Sequence, residues 1–455
     1  MARGRRADID LLRVIDLLHE QLTPALCRAA FGRVRTTERQ RAWTLTALVQ
    51  FWTAVILRAP KALTQALADS REDREPLFPK IPATPEAFFQ RCRDLRPAFF
   101  AEVFQRFTAR LLDAAPPRYA ADLAPVYARF SAVVLFDGSR LAAIARRLKL
   151  LWDERAVILP GALLGVYDLG RGLCRTLHFD PDAAASEVTR ARAVMGTLAR
   201  GSLVLGDRLY ATAAFFDLLH AHHCWGVVRR QRSLGLHKLE RLRKRRFLGG
   251  DLEDWLVRAG SGATAPPQTL RYIRWRHGAK RYEVLTNVLS VTHLAAEEAL
   301  TLYPFRWSIE RMFFDLKEVL NLNRLYAANP NAVAMQVYAA AIVYNAMRIA
   351  QSEAAAQLDL PPEELSPAKL FPKIAVASFL YLHAQAWERQ WQRRHPGAHP
   401  HLRRRRPRWA RADPATVRVE HRSDVRRRRR FCSARAHWKS LRHVRGGPRL
   451  LAKLT

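Results

Sequence analysis

Acidic residues and cysteine are scarce in this chain, and each shortage excludes something. Of 455 residues only 41 are Asp or Glu, against 76 Lys or Arg, so the formal net charge is +35. Self-repulsion on that scale opposes a compact state unless a polyanion neutralises it, which points to nucleic acid as partner ahead of an anionic membrane. The five cysteines, Cys27, Cys92, Cys174, Cys224 and Cys432, are odd in number and scattered. That rules against a disulfide framework and fits reduced thiols in a cytosol. His220, His222, His223 and Cys224 cluster at an apparent helix end, but no second ligand pair stands at zinc spacing, so a solvated helix terminus is the better account. The most apolar run, Trp43 to Leu57, is too short for a bilayer and is broken by Gln50 and several threonines, so it reads as a buried helix. The opening Met-Ala-Arg-Gly-Arg-Arg has no apolar stretch behind it, which argues against secretion and for a cytoplasmic, nucleoid-associated protein.

What is present divides by rhythm. Hydrophobic residues make up 49% of the chain, enough for more than one core. Residues 1–125 read as a helical N-terminal domain, a candidate for DNA binding. Asp8 to His19 and Thr36 to Arg58 carry apolar residues at three- and four-residue spacing, and Thr37 with Glu38 marks a helix start. Arg33, Arg35, Arg39 and Arg41 crowd that start and suit either a DNA contact or a solvated face. Pro116-Pro117 and Pro125 mark a boundary. Over 126–232 the pattern becomes strand, strand, strand, helix, strand, helix, strand: Ala132–Phe136, Ala162–Tyr167, Cys174–Phe179, a helix opened by Ser186 and Glu187, Ser202–Gly206, Ala211–His222, and Cys224–Arg230. That order predicts an α/β layered core with a mixed sheet. Residues 233–300 interrupt it as a strand-rich insertion, with a hairpin of Arg271–Arg276 and Arg281–Asn287 around His277-Gly278. The core resumes over 301–352, a helical linker fills 353–387, and 388–455 is an Arg-rich tail. That tail holds 22 Lys+Arg against 4 Asp+Glu, a net of +18 and about half the charge of the whole chain. Blocks such as Arg403–Arg406 and Arg426–Arg430 repel themselves, and tail binding to nucleic acid without sequence preference is the expectation.

Three acids stand out. Asp137 and Asp207 each close an apolar strand, and functional groups collect at strand ends in open α/β sheets. Glu310 lies in a run with Tyr303, Arg306 and Lys317 at successive spacings of 3, 4 and 7. With about 3.6 residues per turn, a regular α-helix puts all four on one face. A carboxylate flanked by two cations and a phenol suits a metal ion beside a phosphodiester, although Arg306 with Glu310 is also an ordinary i,i+4 pair. Two carboxylates from neighbouring strands and a third from a crossing helix can hold two Mg²⁺ ions about 4 Å apart. Asp168, in a hairpin turn, and Asp315, about 140° around the helix from Glu310, are off that geometry.

The matching pieces are Leu135-Phe136-Asp137-Gly138-Ser139, then Val204 through Asp207-Arg208 to Tyr210, then Tyr303 through Arg306 and Glu310 to Lys317. By these the chain resembles, over about residues 130–350, the DDE transposases of bacterial insertion sequences that carry a Tyr-x2-Arg-x3-Glu-x6-Lys signature. The resemblance implies a ribonuclease-H-like, retroviral-integrase-type core with a β-strand insertion. It implies Asp137, Asp207 and Glu310 as catalytic metal ligands for two Mg²⁺ ions, Mn²⁺ substituting. Tyr303, Arg306, Lys317 and Arg208 would contact DNA. The implied activity is cut-and-paste transposition on double-stranded DNA, both element ends and target, by a homodimer in the synaptic complex, with no membrane partner. Alternatives are a nuclease of the same fold without strand transfer, and a DNA-binding protein with vestigial catalysis. The family often cleaves through a hairpin with a flipped base held by an aromatic of the insertion. Trp255, Tyr272 and Trp275 lie in that region, each equally readable as packing.

Overall fold

The computed structural model describes residues 6–10, 14–15, 17–18, 21–34, 41–74, 76–141, 161–182, 186–260, 265–327, 329–394 and 416–420. The described residues fall into two compact units, one drawn from residues 6–115, 161 and 313–420, with 141, the other from 116–140 and 162–312.

The first unit is helical. Its axis is Pro330–Gln357, capped by the Asn329 side chain, which accepts from the amides of Asn331 and Ala332. By length and composition this helix would cross a membrane, a property the reading of Trp43–Leu57 alone overlooked. Its most apolar stretch is instead wholly buried, against Leu45–Arg58 and Pro97–Ala114 among others. The many alanines let those neighbours approach closely. The polar residues on it are matched: Asn345 donates to the Thr108 hydroxyl at 3.0 Å, and the Gln351 amide to the carbonyls of Pro362 and Leu365 at 2.9 Å. Such pairing is needed because a buried unpaired amide costs about 1–3 kcal/mol.

Two expectations for this unit are corrected. The helix expected from Thr36 begins at Leu45, where Thr44 accepts from the Ala47 amide at 3.2 Å; Trp43 packs edge-on against Phe51 and Phe88, which sets that start. Arg35, Thr37, Glu38 and Arg39 lie outside the described residues. Asp8 to His19 is not one helix either, because Arg6–Asp10 is a strand paired antiparallel with Thr416–Glu420. Long-range pairing has overridden local periodicity there. Of the tail, residues 388–394 continue the helix Pro367–Arg394, and 395–415 and 421–455 lie outside the described residues.

The second unit is built on one nine-stranded sheet. Its strands are β1 (Val133–Arg140), β2 (Ala162–Asp168), β3 (Leu173–Asp180), β4 (Leu203–Gly206), β5 (Trp225–Arg229), β6 (Leu236–Phe247), β7 (Gly250–Ala259), β8 (Gln268–His277) and β9 (Lys280–Thr286). Their order is β3-β2-β1-β4-β5-β9-β8-β7-β6. β1, β4 and β5 are parallel, and every other neighbouring pair is antiparallel. β4, Leu-Val-Leu-Gly, is buried throughout, as a central strand covered on both faces must be. On one face the helices Glu187–Met195 and Ala213–Ala221 deliver Val194, Met195, Phe215, Phe216 and Leu219 onto Val134, Phe136, Val204 and Val228. Fully burying side chains of that size contributes about 1.5–3 kcal/mol each.

The insertion forms no sheet of its own. β9 pairs with β5, Val284 opposite Arg229, so the core sheet runs on into the inserted strands. The basic run Gln231–Arg246 becomes the edge strand β6, almost wholly exposed. Lysines and arginines suit an edge because they stay solvated and deter pairing with another chain.

Candidate active site

Backbone register brings two of the acids together. Val133, Val134 and Leu135 on β1 pair with Leu203, Val204 and Leu205 on β4. Two steps on in that register Asp137 draws level with Asp207, on strands about 4.8 Å apart. Asp137 is not at the end of its strand, as its sequence neighbours suggested. β1 runs on to Arg140, because β2 pairs with it as far as Ala162. Asp207 does close β4, and its Oδ1 accepts from the Leu209 amide at 2.7 Å, starting a short turn, Arg208–Tyr210. That turn leaves Arg208 exposed beside the acid.

Glu310 arrives from a helical run whose winding changes. Ala296–Leu302 is α-helical, Tyr303–Arg306 is 3₁₀, Trp307–Phe314 is α again, and Asp315–Val319 is π-helical. The single stripe expected of a uniform α-helix is therefore not what forms. Lys317 falls in the π segment, within the helical unit, half-buried, with its ammonium pKa lowered by burial against a smaller opposing effect of Glu318. Asp315 is buried in the same segment.

Arg306 ties two of the acids together. One guanidinium nitrogen stands 2.8 Å from a Glu310 oxygen and another 3.5 Å from Asp137. Burial opposes the Arg306 charge, but Tyr303, Asp137 and Glu310 outweigh it and raise its pKa. Tyr303 is buried, edge-on to Tyr282 at 5.7 Å between ring centres. Burial and the nearby Asp207 push its phenol up to about 12, against the opposing effects of Arg306 and Arg229.

One guanidinium does not balance this many carboxylates. Asp137 is pushed up to about 7, first by burial and then by Glu310, Glu187 and Asp207, with Arg306 opposing. Glu187, a fourth acid, opens the helix Glu187–Met195, and burial and Asp207 raise it too. Among the described residues no three carboxylate, imidazole or thiol groups form a ready-made metal cage. The donor set nevertheless fits a divalent cation, whose charge would offset both the burial and the neighbouring carboxylates that raise the Asp137 pKa.

The remaining candidates separate. Asp168 is a structural acid: it accepts from the Arg171 amide at 2.9 Å and pairs with Arg175 at 3.2 Å. Tyr272 and Trp275 are buried, the first on Glu283, the second donating to the Phe247 carbonyl at 2.8 Å. Trp255 is half-buried, with the Lys238 ammonium 4.0 Å from its ring centre. The Cys224 thiol is buried and directed at the carbonyls of His222 and Ala199. A cavity of about 730 Å³ lined by Phe216, His220, Trp225, Asn287 and His293 opens where β5 begins, at the other end of the strands from Asp207. Sequence reasoning missed Glu187 as a site residue, because Ser-Glu at a helix start is explained by capping alone. The one available signal was indirect: a glycine directly after Asp137 and a tyrosine three after Asp207.

Residues 162–346 match the family described as the transposase DDE domain. That stretch contains Asp207 and Glu310 and begins after Asp137. A probable transposase for insertion sequence element IS5377 of Geobacillus stearothermophilus is 26% identical over 148 residues, 32% of this chain and 38% of the relative. A putative transposase, y4zB, of Sinorhizobium fredii is 26% identical over 194 residues, 40% of this chain and 54% of the relative. A putative transposase for insertion sequence element IS4SA of Synechocystis is 30% identical over 83 residues, 17% of this chain and 25% of the relative. The chain thus spans about half or less of the curated relatives it matches.

Proposed function

We propose that this chain, a relative of the DDE transposases of insertion sequences, cuts DNA at the ends of a mobile element and joins the freed 3′-hydroxyl to target DNA. The observation that carries the reading is that Asp207 and Glu310 both lie close enough to Asp137 to act on its charge, with Arg306 bonded to Asp137 and Glu310, on adjacent parallel strands of a mixed sheet. The order β3-β2-β1-β4-β5, two antiparallel pairings followed by two parallel ones, supports a ribonuclease-H-like core. In this reading the core is residues 126–232 and 301–352, with 233–300 inserted. Residues 1–125 serve DNA binding, 353–387 link, and 388–455 form a basic tail.

Asp137, Asp207 and Glu310 would hold two Mg²⁺ ions, or Mn²⁺, which supply activation of the attacking oxygen and stabilisation of the leaving oxygen. The chain itself does the positioning. Arg306 fixes the two acids it touches and offers its remaining N–H groups to a phosphate oxygen. Tyr303, its proton retained well above neutral pH, stays a hydrogen-bond donor. Arg208, exposed beside Asp207, takes the phosphate backbone, and the signature assigns Lys317 the same task. Synapsis of two ends calls for two protomers.

Glu310→Gln tests the reading. The variant should bind element ends and fail to nick them with either ion; retained nicking overturns the assignment. Offering the wild-type protein a pre-cleaved end separates strand transfer, which gives a joined product, from plain hydrolysis, which does not.

A further inference from the structure

We infer that Glu187 is a positioning residue of this site, held over the backbone at Gly138 by the buried Tyr210 hydroxyl so that a fourth negative charge attracts the divalent cation to Asp137 and Asp207. The inference rests on the metal-dependent reading above and extends it to residues outside the Asp-Asp-Glu set.

Three observations carry it. The Tyr210 hydroxyl donates to a Glu187 carboxylate oxygen at 3.3 Å, and Tyr210 has no exposed surface. A buried phenol needs a partner, and this one selects a carboxylate on a different element. Gly138 leaves room for that carboxylate. A Cβ built there would lie 2.5 Å from the Glu187 carboxyl carbon and from one of its oxygens, so any side chain at 138 would displace the acid. Gly138 follows Asp137 directly and Tyr210 lies three residues after Asp207, so the two strands that carry the acids also seat Glu187. Its charge is felt by Asp137, and it feels that of Asp207.

Capping is the competing account of Glu187. An acid in the first turn of a helix favours the dipole, and Ser186 already accepts from the Thr189 amide there. Capping does not require Gly138 to lack a side chain, and it gives Tyr210 no reason to be where it is. The position is consistent with both roles, so the experiment must read ion binding rather than folding.

Mn²⁺ binding to the purified full chain, without DNA, is measured by calorimetry or by paramagnetic resonance of free Mn²⁺, together with thermal stability. Glu187→Gln should weaken Mn²⁺ binding about tenfold, within the 10- to 100-fold range typical of groups one shell removed from a metal. Glu187→Asp should recover part of it. Gly138→Ala, which displaces Glu187 without removing its charge, should also weaken binding, and Tyr210→Phe should do so by less. Asp137→Asn is the control. If Asp137→Asn abolishes Mn²⁺ binding and Glu187→Gln leaves it at the wild-type value, Glu187 is a cap and the inference fails alone. If Asp137→Asn also leaves Mn²⁺ binding unchanged, the metal reading of the site fails with it.

Discussion

Two of the arginine–carboxylate constellations in the sheet unit have opposite designs. Arg271 and Asp254 have no exposed surface, and Arg271 spends its donors on both Asp254 oxygens and on the carbonyls of Val288, Ser290 and Leu294. That pair is closed: charges match one to one, and the hydrogen bonds tie β7 and β8 to the segment ahead of Ala296. Arg306 is nearly as buried but faces Asp137 and Glu310, with Asp207 and Glu187 close enough to matter. Its bond to Asp137 is long, and carboxylate is in excess. A buried ion pair that exists for structure is neutralised and satisfied. A constellation that keeps more carboxylates than its one bonded guanidinium can match is set up for a positive partner from outside.

Predictions that break this comparison differ in where the damage appears. Losing an acid of the open constellation should strike chemistry hardest. Asp137→Asn or Glu310→Gln should lower element-end cleavage by about 10³-fold in a single-turnover assay, in line with losing a main electrostatic contributor, with thermal stability held or raised. A large loss of stability instead would mean these acids are structural. Arg271→Met should do the reverse. It strands Asp254 in the core and should cost about 3–5 kcal/mol in urea unfolding. Arg306→Gln should cost much less than Arg271→Met, because Asp137 can take up a proton when its counterion goes.

Burial of Asp137, with its carboxylate neighbours adding to it, gives a pH signature. Asp137 rises from an ordinary 3.8 to about 7 in the folded protein. Between about pH 4 and 7 the folded state therefore binds a proton that the unfolded state has released. Stability from this group is present below about pH 4 and lost as pH rises through 7, by up to about 4 kcal/mol at 1.36 kcal/mol per unit. Urea unfolding with chelator should show that decline, and Asp137→Asn should flatten it. Mg²⁺ should restore stability near pH 7.5. A flat profile in the chelated wild-type protein would refute the raised Asp137 pKa and the account of the site built on it.

How much of this was legible in sequence varied with the range of the interaction. The strands from β1 to β5 were readable because short apolar runs ending in Asp or Gly have few other solutions. β6 was not, since a densely basic run shows no apolar alternation, and its pairing with β7 depends on a neighbour it meets only after folding. The strand Arg6–Asp10 was hidden for the same reason, its partner being Thr416–Glu420 at the far end of the sequence. Asp137, Asp207, Arg306 and Glu310 stood out because their residue types and spacing suit a metal ion beside a phosphodiester. The changes of winding around Glu310, which take Lys317 off a uniform stripe, leave no mark in spacing. Glu187 was invisible as a site residue because its seat is made by the absence of a side chain at Gly138.

The smallest effect on chemistry should come from the basic tail. A cut at 388 would remove the end of Pro367–Arg394 and the strand partner of Arg6–Asp10, mixing folding with binding. A cut after Glu420 spares both and still removes 12 Lys+Arg against a single Asp. Each phosphate that the shortened chain no longer neutralises should reduce the slope of log K against log[salt] by about 0.9, so a tail that tracks the DNA backbone predicts a drop of several units in that slope. Cleavage of bound, pre-assembled ends should stay within about twofold, because ionic interactions that release counterions contribute equally before and during the reaction. An unchanged salt slope would remove the tail from DNA binding and leave the excess charge to the exposed edge strand β6, where Lys238, Arg243 and Lys244 would be the next residues to neutralise.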